Sequence, residues 1–321
     1  MGSQTPLKLP VIDFTTPGAL NQGSPEWDSV KVQVREALGE YGCFEAVYDE
    51  LPPELRKAHF GVVEELFDLP TDVKKLNVYE KPFHGYRGHY PDVFETMEVD
   101  CANVLQQVEE NFTNKLWPQG NANISKTIQS FSRQVAEFDG VVRRMVLESL
   151  CIEKYWEEHM NSTDYVLTVN RYLPSQNGHD ESHPGLLSHT DKTTTSLLFG
   201  KDLDGLEIQT KQGDWINVKL SSANSLFYMV GDALYAWTNG NLFNAIHRVM
   251  MRGNITRYTT GLFSVPKQGY MVTVPEELVD EEHPLQFKPF DHFEYLKFLA
   301  EHFDPSSIVP EVSNIKTYCG I

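Results

Sequence analysis

After Asp164 the apolar residues stop recurring at three- and four-residue steps and fall into short runs broken by turn residues. The runs are Tyr165–Tyr172, Thr195–Phe199, Leu206–Thr210, Ser225–Val230, Ala245–Met250 and Arg257–Val265. Their β-branched and aromatic content suits strands, and no helix-length segment separates them as a parallel sheet would require. Many short antiparallel strands of this kind close into a sandwich or jelly roll. The texture before Asp164 is the opposite. After a short leading strand, Leu9–Phe14, the spacing predicts helices over Ser29–Tyr41, Pro53–Phe67 and Ser125–Leu150. In the last of these, Ile128, Phe131, Val135, Phe138, Val142 and Met145 form one apolar stripe. A closing helix is expected over Asp291–Phe303. The expected fold is mainly β with flanking α, a jelly-roll core wrapped by N-terminal helices. Residues 1–155 form the helix-rich region, 156–321 form the core, and both make one compact unit.

Composition narrows the partners. The chain has 321 residues and a formal net charge of −18, which would repel a phosphate backbone, so no nucleic acid is expected. No apolar run approaches the roughly 20 residues that span a bilayer, and the N-terminus lacks the basic and apolar regions of a signal peptide. Cys43, Cys101, Cys151 and Cys319 lie far apart without a C-x-x-C pair, which suits free thiols in a reducing compartment. A cytoplasmic location and no membrane are therefore expected. The glycines of His84-Gly-Tyr-Arg-Gly-His89 lack the strand–loop–helix context of a phosphate loop, which removes nucleotide-dependent dehydrogenases and kinases.

The most informative stretch is Ser188-His189-Thr190-Asp191. On a strand, residues i and i+2 share a face, so His189 and Asp191 can hold one ion together. His247, in Phe243-Asn-Ala-Ile-His-Arg-Val249, is the natural third ligand, 56 positions on (247 − 191). Two imidazoles and a carboxylate on one face leave three octahedral positions open, the facial triad of non-haem iron(II) oxygenases. An H-x-D pair alone is weak, because 11 histidines in an acidic chain generate such pairs by chance. Its company strengthens it. Arg257 and Thr259 follow His247, and Arg252-Gly253-Asn254 reads as a three-residue hairpin turn. With the turn centred on Gly253, odd residues pair with odd, and Arg257 and Thr259 share the face of His247. A guanidinium fork and a hydroxyl beside an iron site suit a carboxylate. A 2-oxo acid with a distal carboxylate would chelate iron at one end, pair with Arg257 at the other, and supply the two electrons such a site needs. Asn170 and Tyr172 share a strand face that could complete that pocket.

At this point the sequence resembles the plant 2-oxoglutarate/Fe(II)-dependent dioxygenases over almost its whole length. The resemblance is carried by Leu9-Pro-Val-Ile-Asp13, Glu40-Tyr-Gly-Cys-Phe44, Asn170-Arg-Tyr172, His189-Thr-Asp191 and Gly231-Asp232. It continues through Trp237-Thr-Asn-Gly240, His247-Arg-Val249, Arg257-Tyr-Thr259 and Phe263-Ser-Val-Pro266. It implies a double-stranded β-helix core, iron on His189, Asp191 and His247, and 2-oxoglutarate on Arg257, Thr259 and Tyr172. Thr259 stands where the family commonly has Ser, and keeps the hydroxyl. Arg171-Tyr172-Leu-Pro174 and Asp191-Lys192-Thr193 depart from the commoner patterns. With Pro275–Pro284, these features resemble the branch of glucosinolate side-chain and lignan-type dioxygenases, to which deoxypodophyllotoxin synthase is similar. That implies a specialised-metabolism enzyme that consumes oxygen, releases succinate and carbon dioxide, and hydroxylates, desaturates, demethylates or closes a ring. Ascorbate is the expected reductant and a monomer the expected state.

Substrate contacts are expected from Phe263, which continues the odd-numbered face of Arg257 and Thr259, and from Phe83, Tyr86 and Tyr90 in a glycine-containing loop. Aromatics at the mouth, in an acidic protein, suit a small neutral aromatic or polycyclic metabolite. Three other readings are open at this stage. A zinc hydrolase could use the same three ligands, but it gives Arg257 no role and has no evident general base. An iron oxygenase that ignores 2-oxoglutarate and a non-catalytic jelly-roll binding protein are the others.

Overall fold

The computed structural model describes residues 8–88, 94–174, 183–200, 205–251, 255–302 and 315–321. Helix α1 (Pro25–Glu40) starts four residues before the apolar stripe because Ser24 caps it, accepting from the Trp27 amide at 2.9 Å, with Pro25 at the first position and Glu26 and Asp28 in the first turn. It buries Trp27, Val30, Val34, Ala37 and Leu38, and the chain leaves it through Gly42. Gly42 has φ 68°, and a Cβ there would lie 2.2 Å from the Phe243 carbonyl oxygen. Helix α2 (Pro53–Asp68) ends ahead of Pro70, as the sequence indicates. Helix α3 (Ala122–Ser149) is capped by Asn121 and buries the predicted stripe along its whole length. Thirteen strands are described. They are β1 (Val11–Asp13), β2 (Cys43–Val47), β3 (Phe94–Val99), β4 (Thr163–Tyr172), β5 (His183–His189), β6 (Thr195–Gly200) and β7 (Leu206–Gln209). The rest are β8 (Trp215–Asn217), β9 (Ser225–Val230), β10 (His247–Met251), β11 (Arg257–Pro266), β12 (Met271–Val272) and β13 (Phe290–Asp291). The short helix α4 (Asp232–Trp237) follows β9, α5 (His292–His302) lies near where a closing helix was expected, and a short helix at Ile315–Cys319 comes after it.

Two sheets face each other. The larger runs β1-β2-β9-β6-β11-β4-β3 and the smaller runs β5-β10-β7-β8, with β12 and β13 as a separate pair. This is the double-stranded β-helix, wrapped by helices on the outer face of the larger sheet. The smaller core fills the space between the sheets with Cys43, Leu206, Ile208, Val218, Phe227, Met229 and Ala245. The larger core joins that outer face to α1, α2 and α3.

Two sequence expectations change. Strands β2 and β3 come from the half that reads as helical. The first is too short an apolar run for periodicity to identify, and the second alternates but carries Glu95 and Glu98. Nor are β10 and β11 the two arms of a hairpin. β10 pairs with β5 and β7, whereas β11 pairs with β4 and β6, so residues 252–254 join opposite sheets; the expected turn itself lies outside the described residues.

Helix α3 is joined to the larger sheet by a buried polar network. Asp139 accepts from Thr195 Oγ1 at 2.7 Å, Tyr165 Oη at 2.9 Å, Tyr228 Oη at 3.0 Å and Arg143 Nη1 at 3.3 Å. Both members of the Asp139–Arg143 ion pair have 0% side-chain exposure, and Arg143 also donates to Thr163 Oγ1 and the His159 carbonyl. Removing one member leaves an uncompensated buried charge. Asp139→Ala is expected to lower stability by about 3–5 kcal/mol, read from the midpoint of a urea unfolding curve. An unchanged midpoint would mean that the network contributes nothing to holding helix and sheet together.

Candidate metal centre

His189 ends β5 and His247 begins β10, and the two are direct partners across the antiparallel pair. Their ring centroids lie 4.2 Å apart. Asp191 was expected on the same strand as His189; instead β5 ends at His189 and the carboxylate comes from the connection to β6. The three side chains still converge. Asp191 Oδ1 lies 3.6 Å from His189 Nε2 and 3.5 Å from His247 Nε2, and one ligand atom from each residue falls within 4.8 Å of the others.

Each imidazole is oriented from behind. His189 Nδ1 lies 2.7 Å from the Leu187 carbonyl and His247 Nδ1 lies 3.3 Å from that of Ala245. A carbonyl only accepts, so each Nδ1 carries the proton and each Nε2 is left with a lone pair toward Asp191, the tautomer a metal ligand needs. Burial and the neighbouring His247 push the His189 pKa below its usual value, against the pull of Asp191. Burial alone would raise the Asp191 carboxyl; the adjacent imidazoles of His247 and His189 outweigh it and hold the carboxyl well below its usual range.

What holds the carboxylate is not legible in the residue pattern. Ser196 Oγ donates to Asp191 Oδ2 at 2.5 Å and lies 3.1 Å from Thr193 Oγ1. The Asp232 amide donates to the Asp191 carbonyl at 2.7 Å, and Gly231 and Ala233 donate to Thr194 and Thr193. The unpaired amides at the start of α4 thus bind the loop that carries Asp191. Gly231 cannot be replaced easily, since a Cβ there would lie 2.1 Å from the Thr193 carbonyl oxygen. The unusual Lys192 approaches the wholly buried Asp232 at 3.6 Å, and Asp232 also accepts from Tyr295 Oη and Asn244 Nδ2. From α5, the His292 Nε2–H donates to the Lys192 carbonyl at 2.9 Å.

On β4 and β11, Arg257 is opposite Tyr172 and Thr259 is opposite Asn170. The Arg257 guanidinium lies 5.9 Å from the Tyr172 ring centre, and Asn170 Nδ2 donates to Thr259 Oγ1 at 3.3 Å. These side chains point toward the smaller sheet. Arg257 Nη1 reaches Met251 Sδ at 3.5 Å, and a Cβ on Gly185 of β5 would meet the Tyr172 ring at 3.2 Å. Arg257 and Thr259 therefore face the metal ligands across the barrel, not along one hairpin. Burial pushes the Tyr172 phenol up to about 12, with Arg257 pulling the other way, so it stays a neutral donor. Phe263 is opposite Ser196 and so shares the face from which Ser196 reaches Asp191; its ring lies 2.6 Å from where a Gly261 Cβ would be. Tyr86 is not brought to the site. Its hydroxyl bonds Glu95, which also binds Lys74 and Arg171, and Arg171 faces away from its neighbours Asn170 and Tyr172. Phe83 (φ 64°) packs against the larger core, and Tyr90 lies outside the described residues.

A facial two-histidine, one-carboxylate set in a double-stranded β-helix defines the non-haem iron oxygenase class. Residues 165–266 match the 2OG-Fe(II) oxygenase superfamily, and residues 9–120 match the non-haem dioxygenase in morphine synthesis N-terminal family. The chain is 48% identical to the "Probable 2-oxoglutarate-dependent dioxygenase AOP1.2" of Arabidopsis thaliana over 91% of this chain and 90% of that one. It is 32% identical to the 2-oxoglutarate-dependent dioxygenase AOP3 of the same plant, over 100% and 99%. The structure of the dioxygenase for auxin oxidation in rice superposes with a TM-score of 0.80 at 24% identity, covering 98% of this chain and 100% of that one. Its Arabidopsis thaliana counterpart, a 2-oxoglutarate binary complex, superposes at 0.74 with 22% identity, over 86% and 100%. The chain belongs to the plant 2-oxoglutarate- and iron(II)-dependent dioxygenases, which sets aside a zinc hydrolase, a 2-oxoglutarate-independent oxygenase and a purely binding role. No helix among the described residues is long and apolar enough to cross a membrane.

Hydrogen bonds to a ligating carboxylate fix its direction, and losing one typically costs about 10–100-fold in metal affinity or activity. Ser196→Ala is expected to weaken Mn(II) binding by about that factor, measured by calorimetric titration, while Ser196→Thr retains affinity. Equal affinity in the alanine variant would remove Ser196 from the support of the centre.

Proposed function

We propose that His189, Asp191 and His247 hold iron(II), that Arg257, Thr259, Tyr172 and Asn170 hold 2-oxoglutarate, and that the enzyme oxidises a small aromatic or polycyclic plant metabolite. The observation that carries this reading is the convergence of the three ligand atoms, each imidazole turned by a backbone carbonyl so that Nε2 faces inward. The residues fit the metal: two neutral imidazoles and an ionised carboxylate are the donor set a divalent iron takes on one face.

Bound together, iron(II) and 2-oxoglutarate supply the oxidation of an unactivated carbon–hydrogen bond, with release of succinate and carbon dioxide. The chain's own residues do the positioning. The Arg257 fork pairs with the distal carboxylate of the 2-oxo acid, and the Thr259 and Tyr172 hydroxyls donate to it. Asn170 fixes the Thr259 hydroxyl from the neighbouring strand. The Phe263 ring, beside Ser196 on the inner face, forms an apolar wall against which a flat substrate packs and from which water is excluded. Ascorbate as reductant, a cytoplasmic location and a monomeric state belong to the same proposal.

A plant metabolite extract scored for substrate-dependent succinate release tests the substrate class, and an extract without effect on 2-oxoglutarate turnover counts against it. Asp191→Ala is expected to lose both metal binding and turnover. Arg257→Ala should raise the 2-oxoglutarate concentration needed for half-maximal turnover by about 10–100-fold, as expected for losing a charge-assisted hydrogen-bonded pair, with Mn(II) affinity unchanged. An unaltered requirement would return Arg257 to a structural role.

A further inference from the structure

Buried polar atoms without a partner are rare, and each calls for a reason. Among the described residues twelve side-chain atoms are in that state, and three of them, Arg87 Nε, Thr96 Oγ1 and Glu98 Oε2, belong to one patch. Arg87 and Thr96 are bridge partners that exchange two backbone hydrogen bonds of 2.9 Å. Glu98 follows two residues later on β3, on the same face, and accepts from Arg87 Nη2 at 2.7 Å through its other oxygen. Thr96 and Glu98 are 2% and 7% exposed and the Arg87 side chain is 28% exposed, so the unpaired atoms lie beneath the partly exposed Arg87.

Register places this patch relative to the catalytic residues. Arg87, Thr96, Asn170 and Thr259 form one continuous line of cross-strand partners, ending at Gly200 of β6. Asn170 and Thr259 face the barrel interior, so Thr96 and Glu98 do too. At about 4.8 Å per strand and about 3.3 Å per residue, the patch is roughly 10 Å from Thr259 and roughly 16–20 Å from Ser196, which holds the Asp191 carboxylate three strands across and two to four residues along. Phe263 and Gly261 occupy the interval. An elongated or polycyclic metabolite, rather than a single ring, reaches from the patch toward the metal.

The patch also has a definite chemical preference. A carboxylate would meet Glu98 and, beyond it, Asp100; an ammonium would meet Arg87, with His84 Nδ1 3.9 Å from Glu98 Oε2. The charges are already balanced locally, since His84 and Lys81 both bond Asp100. What is missing is an acceptor for Arg87 Nε–H, a donor for Glu98 Oε2 and either one for Thr96. A pair of neighbouring hydroxyls provides all three.

Resting on the oxygenase assignment above, we propose that Arg87, Thr96 and Glu98 form a recognition site for an uncharged, hydroxylated end of the substrate, remote from the carbon that is oxidised. Recognition of this kind discriminates strongly, because an analogue without the hydroxyls leaves three buried polar atoms unpaired.

The test uses the full chain loaded with Mn(II) and 2-oxoglutarate, and four probes on one skeleton: 3-phenylpropane-1,2-diol, its dimethyl ether, 3-phenylpropanoate and 3-phenylpropylamine. Broadening of the probes' ring-proton signals by Mn(II) reports binding at the centre. The diol is expected to bind about tenfold more tightly than the other three, the factor that one net hydrogen bond supplies. Thr96→Val and Glu98→Gln should each erase that preference. A preference for the acid or the amine, equal behaviour of all four probes including no broadening, or a preference that survives both substitutions overturns the proposal. Thr96→Val separates recognition from folding: its thermal midpoint should equal or exceed that of the wild type, because no internal partner is lost, and a clear fall would make the hydroxyl structural. The charge-transfer band of the wild-type protein with iron(II) and 2-oxoglutarate under argon is scored separately. Its absence would sink the cosubstrate assignment, whereas its presence with no diol preference sinks only the recognition site.

Discussion

The Asp139 carboxylate is the point on which helix, sheet and metal site all depend. It lies fully buried on α3 and takes hydrogen bonds from β4, β6 and β9 through Tyr165, Thr195 and Tyr228, besides the Arg143 guanidinium. A charge in that position is tolerable only because every donor is supplied, and apolar side chains could have filled the same volume at less risk. What the network adds is a fixed registration of the helix on the strands. Thr195 and Ser196 are adjacent on β6, so a strand held from behind through Thr195 presents Ser196 to Asp191 at the front. The alternation of a single strand carries the constraint through the sheet.

The ligands themselves come from the other sheet and from a loop, which poses a different problem. His189 and His247 are fixed by strand pairing, but Asp191 belongs to no strand and would otherwise be mobile. Three elements hold its loop: β6 through Ser196, α4 through the amides of Gly231, Asp232 and Ala233, and α5 through His292. Lys192, a departure from the small residue usual in the family, fits the same plan by bringing its ammonium to Asp232, whose carboxylate is wholly buried with Tyr295 and Asn244. A short side chain at position 192 would remove that ammonium from Asp232.

Much of this was legible in the sequence, and the limits have physical causes. The stripe of α3, the stop at Pro70 and the run of short strands are periodic signals, and they located those elements within a few residues. His189, Asp191 and His247 stand out because metal ligation demands particular residue types close together, although Asp191 lies in the connection after β5 rather than on the strand its spacing suggests. The inner placement of Arg257 and Thr259 was anticipated, but through a hairpin that does not form; they reach the site from the opposite sheet, a distinction that parity along the chain cannot make. Ser196 and Asp139 left no trace because their importance is tertiary, arising from contacts 5 and 56 residues away in sequence. Tyr86 illustrates the converse: an aromatic in a loop that reads as a pocket wall instead bonds Glu95 on the outer side of the sheet.

The same sheet explains how one protein fold can separate chemistry from recognition. The proposed metal ligands and 2-oxoglutarate residues lie on β4, β5, β10, β11 and the loop before β6, all from the second half of the chain. Strand β3 comes from the first half and pairs with β4 at the edge of the larger sheet, so it adds an inner-face row without touching the metal ligands' supports. Residues of that row, Thr96 and Glu98, can change with little consequence for iron or cosubstrate, because the Asn170–Thr259 pair stands between them. The segment that bridges to β3, around Arg87, is similarly independent of the ligands. On the recognition site proposed above, substrate choice would lie with an edge strand and the segment bridged to it, beside the strand that carries Asn170 and Tyr172.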